Sequence, residues 1–284
     1  MPTDLVVQER HGAVLELRLN NPPFNGLTGP LLMAYLAALE EARVDDGVRV
    51  VVTTANGPTW CAGGDLTQLD ESATGFDLSD MLHQSTGESA SLGLVDRQAD
   101  LLGAGRHVLA IDAFDKPMIA AIDGAAAGGG LGLALLHDLR FASERALFTV
   151  AFTRVGLSLE MGLSYLLPRA VGPQAAFDLA ATSRRVPAAE AQTLGLVWRV
   201  LPADEMMAAA LAYAQDLAER PPLGLQITTR LLRRSWDHTL RRQLEIEWPS
   251  QVAAFRSPEA RAAIARFLGS TGDADPLPGT ARVE

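Results

Sequence analysis

Two glycine-rich turns hold the residues whose types and spacing could do chemistry. One is Cys61-Ala62-Gly63-Gly64-Asp65-Leu66; the other is the triplet Gly128-Gly129-Gly130. Each follows an apolar run that reads as a buried strand, Val48 to Thr53 and Met118 to Ile122, and each precedes a helix start. The first amides of a helix have no partner within it, and the positive end of the helix dipole lies behind them. Glycines let a ligand come close to such amides. Two such turns, about sixty residues apart, could each give one N–H to a single oxygen that gains negative charge during a reaction. A nucleotide loop fits poorly, because the glycine spacing is wrong and no Lys-Ser/Thr follows. A membrane span over 117–136 would have to carry Asp123 and the glycine triplet. A glycine turn that only lets helix pack on strand is the plain alternative.

The elements that must position these turns alternate along the chain. Ala13 to Asn20 alternates apolar and polar, as a half-buried strand does, and Asn21-Pro22-Pro23 stops it. Thr28 is a candidate N-cap with Pro30 in the first turn, and Leu31, Leu32, Tyr35, Leu36 and Leu39 mark one helix face. Residues 68–95, rich in Ser, Asp, Thr and Gly, read as a long loop of the kind that carries function, and His83 within it reads as a surface residue. Beyond Gly172 come two short helices and a last strand, Val197 to Leu201. From Pro202 the chain is helical over 203–220 and 222–235, then along a seam of Leu240, Leu244, Trp248 and Val252 that Pro249 should kink or break. A further helix covers 258–268, and 270–284 reads as a disordered tail.

Taken together, the two turns resemble those of the crotonase (enoyl-CoA hydratase/isomerase) superfamily, whose pattern FxAGAD, some sixty residues, then GxxxGGG forms an oxyanion hole for an acyl-CoA thioester. The resemblance extends through Asp138, Phe141-Ala142, Val155-Gly156-Leu157, Leu167-Pro168-Arg169, Val171-Gly172 and Ala189 to Gly195. It implies an α/β fold, a ClpP-like spiral of ββα repeats. The spiral core would span 1–201 with the acyl-CoA site, and a C-terminal helical region over 202–269 would pack subunits into a homotrimer or hexamer. Matched positions make the amides of Gly64 and Gly129 the oxyanion donors. They place Ala62, Gly63, Asp65, Leu66, Gly128, Gly130, Gly132, Phe152 and Leu157 around the substrate. Family hydratases carry two carboxylates, one just after the glycine triplet and one about twenty residues later. Here those positions hold Gly132 and Phe152, and neither side chain can move a proton. Glu160 falls where isomerases that shift an enoyl double bond carry an acid, so the resemblance implies isomerisation with Glu160 as acid/base. The alternatives are another reaction through the same enolate (hydration, thioester or C–C hydrolysis) and an acyl-CoA-binding homologue without catalysis. For Glu160 the plain alternative is an acid that opens the following helix.

Composition narrows the classes further. A net charge of −10 argues against nucleic acid and anionic membranes as partners. The single cysteine, Cys61, excludes an intrachain disulfide and a thiolate metal cluster, and it reads as a small buried residue. No HExxH or His/Cys ligand spacing occurs, so no metal is expected, and no cofactor beyond the coenzyme A of the substrate. The N-terminal segment lacks the pattern of a signal peptide, so a cytoplasmic location is expected.

Overall fold

The computed structural model describes residues 4–64 and 104–270. The expectations for 68–95, including His83, and for the tail beyond Ser270 lie outside the described residues, as do Asp65 and Leu66. The chain divides into two compact units, Met1–Ala218 and Glu219–Glu284.

In the first unit, the ten strands among the described residues form two sheets. The larger has the order β1 (Val6–His11), β2 (Val14–Leu19), β3 (Val50–Ala55), β5 (Met118–Ile122), β7 (Leu139–Ser143) and β10 (Arg199–Leu201). Its β1–β2 hairpin is antiparallel and every other pairing is parallel. The smaller has the order β4 (Thr59–Cys61), β6 (Ala125–Ala127), β8 (Leu147–Thr149) and β9 (Val186–Pro187). Consecutive strand pairs therefore split between the sheets. β3, β5 and β7 each lie in the larger sheet, and β4, β6 and β8, which follow them, in the smaller. That is the ββα spiral expected from the sequence.

Burial explains why β3 and β5 read as unbroken apolar runs rather than as alternating patterns. On one face of the larger sheet, Val51, Met118, Ala120 and Ile122 join the main core with Trp60, Phe148 and Leu131. On the other, Val50, Val52, Ile119, Ala121 and Phe141 pack with Met206, Ala210, Ala214 and Ala218. Those four residues recur every fourth position along the helix Ala203–Ala218, so they share one face. Residues 203–218 thus cover this face of the sheet, and the first compact unit ends at Ala218. The Thr28 cap forms as read, its Oγ1 accepting from the Leu31 amide at 3.3 Å.

The second unit contains the helices Pro222–Arg234, Leu240–Arg256 and Pro258–Ser270. Of the kink or break expected at Pro249, the structure has no break: the middle helix is continuous through it. No described helix is long and apolar enough to cross a membrane.

Candidate active site

Backbone packed directly on backbone joins the two glycine turns. Gly63 follows β4 with φ +86°, a conformation that only glycine adopts freely. A Cβ there would lie 2.7 Å from the Ala127 carbonyl oxygen and 2.9 Å from the Gly129 nitrogen. A Cβ at Gly130 would meet the Cys61 carbonyl oxygen at 2.3 Å. Small residues at 63 and 130 are thus the condition for the first turn to lie against the start of the helix Gly129–Leu135. The amides of Gly64 and Gly129 are then neighbours on one wall, and neither donates to a backbone acceptor among the described residues.

The 21–27 loop closes over the first turn. The Ala62 amide donates to Phe24 O at 3.0 Å, and the Leu27 amide to Gly63 O at 2.8 Å. Asn25, almost fully buried, braces this loop. Its side-chain amide donates to the carbonyls of Asn56 and Thr59 at 2.8 and 2.7 Å, and its oxygen accepts from the Asn21 amide. Asn25 was not singled out from the sequence. Its carbonyl partners at 56 and 59 lie more than thirty residues away, and local pattern carries no trace of them.

Beneath the helix Gly129–Leu135 lies a buried polar cluster. His137 Nδ1 donates to Leu133 O at 2.9 Å, and its Nε2 lies 2.8 Å from the Thr53 hydroxyl and 3.2 Å from that of Tyr35. The imidazole is thereby a satisfied core group that ties the helix to β3. Asp123 and Asp138 hold turns. Asp138 accepts from the Met118 amide at 2.8 Å, and Asp123 accepts from Ser143 Oγ and from Arg145. Burial pushes the Asp123 carboxyl up, but the hydrogen bonds from Arg145 and Ser143 outweigh it and hold the group below the usual carboxylate range. Desolvation lifts the Cys61 thiol to about 12, a rise that its hydrogen bond from Gly63 only partly offsets. Cys61 is inert at neutral pH.

The cavity against this wall has a volume of about 430 Å3. Of the residues expected around the substrate, Ala62, Gly64, Gly128, Gly129, Phe152, Leu157 and Glu160 line it. Gly63, Gly130 and Gly132 stand behind the wall as packing positions. Leu27, Leu32, Ala104, Ala151, Val155 and Met161 also line it and were not singled out from the sequence. Most of the wall is apolar or small, and its charged groups among the described residues are Glu160 and Arg154.

Glu160 precedes a tight turn in which Met161 has φ +53° and Gly162 φ +74°. The Leu163 amide closes that turn on Glu160 O at 3.1 Å. Met161 is buried, and it fills the space beside Gly132: a Cβ at 132 would lie 2.6 Å from both Met161 Cβ and Met161 O. The position that carries an acid in hydratases therefore has no room here for any side chain. Phe152 presents a ring where the second acid would stand, and that ring lies within 3.8 Å of a Cβ built on Gly128.

A spiral of ββα repeats whose two glycine turns line an apolar cavity is the arrangement that the resemblance implied. The comparisons give the family. The enoyl-CoA hydratase/isomerase family model matches residues 9–84 and 72–271, and the chain belongs to that family. It is 30% identical over 267 residues to the 1,2-epoxyphenylacetyl-CoA isomerase of Escherichia coli K12, covering 93% of this chain and 95% of that one. It is 32% identical over 246 residues to the 2,3-dehydroadipyl-CoA hydratase of the same organism, covering 86% and 88%. Among solved structures, the enoyl-CoA hydratase/isomerase of Cupriavidus metallidurans CH34 superposes with a TM-score of 0.83 at 30% identity over the whole of both chains.

Proposed function

We propose that the protein isomerises the double bond of an enoyl-CoA, with Glu160 as acid/base and the amides of Gly64 and Gly129 holding the thioester oxygen. The observation that carries this reading is that Glu160 is the sole carboxylate among the described residues lining the cavity that Gly64 and Gly129 also line. One carboxylate suffices for a 1,3-shift. It removes a proton from the carbon next to the thioester carbonyl, the two amides stabilise the resulting dienolate, and the same carboxylic acid returns the proton two carbons along. Each amide contributes about 3–4 kcal/mol of barrier lowering when it is aimed at the developing oxyanion. Hydration needs a further group to position water, and the packing of Met161 against Gly132 speaks against an acid there.

Coenzyme A enters as part of the substrate, with no separate cofactor. The exposed seam of Leu240, Leu244 and Trp248 supports assembly of the C-terminal helices into a homotrimer or hexamer.

Deuterium wash-in from heavy water into 3-enoyl- and saturated acyl-CoAs, followed by mass spectrometry, tests the reading. Wild type should exchange at the α-carbon and convert the 3-enoyl to the 2-enoyl thioester, while Glu160→Gln should lose at least 100-fold in both. Equal exchange by both proteins would remove Glu160 as the base. Binding without exchange by either would favour an acyl-CoA carrier over an enzyme.

A further inference from the structure

Arg154 is the cation on a wall that is otherwise apolar, small or acidic. It follows Phe152 in a single 3-10 turn, Thr153–Val155, so it stands on the same loop as Phe152, which lines the first cavity. It also lines a second cavity, of about 450 Å3, together with Thr153, Ser183, Arg184 and Arg185. In that second cavity most polar groups are already engaged. Arg184 pairs with Asp178 and with Glu190, both at 2.7 Å, and the Thr153 hydroxyl lies 2.6 Å from Ala180 O and 2.8 Å from Ser183 Oγ. Arg154 and Arg185 form no ion pair among the described residues, and Arg154 is not paired with Glu160 although both line the first cavity. Arg154 thus lines both cavities, and among the described residues neither it nor Arg185, in the second cavity, is ion-paired.

We infer that the cavity takes thioesters whose acyl chain ends in a carboxylate, and that Arg154 recognises that carboxylate; this rests on the acyl-CoA reading of the site. An apolar chain end laid against Arg154 would strip water from the guanidinium and give no acceptor in return. A carboxylate replaces that water with two parallel N–H···O bonds, the geometry for which a guanidinium is preorganised. The apolar wall formed by Phe152, Val155 and Leu157 holds the methylene chain between the thioester and this end. Arg185 adds to the positive potential without having to touch the ligand.

Calorimetric binding of adipyl-CoA and hexanoyl-CoA, which differ only at the chain end, tests the inference without requiring turnover. Wild type should bind adipyl-CoA at least tenfold more tightly, and Arg154→Gln should abolish that preference while leaving hexanoyl-CoA affinity within about twofold. Arg154 is exposed, so the substitution leaves the core intact; Arg154→Met serves if the glutamine variant fails to fold. Equal affinities in wild type, or a preference that survives the substitution, would overturn the inference. So would a loss of affinity for both thioesters alike, which would assign the guanidinium to the coenzyme A half. If wild type bound neither thioester, the acyl-CoA reading itself would fall, an outcome distinct from loss of the chain-end preference alone.

Discussion

Gly132 is the position at which helix propensity and packing make opposite predictions. It lies inside the helix Gly129–Leu135, where Ala is favoured over Gly by about 1 kcal/mol. Propensity alone would make Gly132→Ala stabilising. The new Cβ, however, would sit 2.6 Å from Met161 Cβ and Met161 O, where ordinary contact begins at 3.4 Å, so the two segments must separate by roughly 0.8 Å. The obstacle is backbone and a Cβ, not the tip of a flexible side chain, which places the overpacking penalty near the top of the usual range, about 3 kcal/mol. The net expectation is a destabilisation of about 2 kcal/mol, read as a fall in Tm of roughly 4–8 °C for a chain of this size. Glu160 adjoins Met161, so the same shift displaces the acid and should lower kcat by roughly 10- to 100-fold. Met161→Gly removes one of the two obstacles. Adding Gly132→Ala in that background should then cost less than in wild type, by at least about 0.5 kcal/mol in a double-mutant cycle. Thermal unfolding of the four proteins and their isomerase kinetics provide the check. A Gly132→Ala protein as stable as wild type, or more stable, would refute the claim that Met161 occupies the space of a hydratase acid.

Two further predictions concern groups that hold the scaffold. Cys61, with its thiol near 12, should resist iodoacetamide at pH 7.5 in the native protein and react only after denaturation, as a mass-spectrometric time course would reveal; native labelling within minutes would contradict its burial. Asp123 is held below the unfolded carboxylate value of about 3.9. Its contribution is therefore fully present above that value and is lost as pH falls through the folded one, so the stability gap between wild type and Asp123→Asn, followed by urea unfolding, should be flat above about pH 5 and close as pH drops below about 4. A gap that widened on acidification would reverse the assigned direction.

The parts of this fold that were legible in the sequence are those in which one local rule determines one local structure. The apolar runs at Val48–Thr53 and Met118–Ile122 gave the buried strands, and Thr28 with Pro30 gave the helix start, because burial and capping leave period and composition behind. The juxtaposition of the two glycine turns was legible through family resemblance, since the distances that unite Gly63 with Gly129 join residues about sixty-five positions apart. The packing partner of the helix Ala203–Ala218 was not legible for a related reason. The stripe Met206, Ala210, Ala214 and Ala218 resembles any small-residue helix face until the sheet it covers is in view. Asn25 and Met161 left no sequence signal at all. A buried asparagine with distant carbonyl partners reads as turn chemistry, and a methionine at positive φ reads as an ordinary apolar residue.

The site divides its labour between two kinds of structure. The amides of Gly64 and Gly129 belong to the turn after β4 and to the start of the helix Gly129–Leu135, whose positions are set by backbone contacts at Gly63 and Gly130 and by the His137–Thr53–Tyr35 cluster below. A side chain at Gly63 or Gly130 would have to move main chain. Glu160 and Arg154 instead sit on an exposed stretch of short turns between β8 and the helix Leu163–Val171, where Ala151, Gly156, Met161 and Gly162 take positive φ. Exchanging an acid or a cation on such a stretch leaves both sheets untouched. The placing of the two amides is thus a property of the scaffold. On the proposed function, the fate of the enolate would depend on a few residues of that exposed stretch, and Met161, by filling the place beside Gly132, already restricts which acids it can offer.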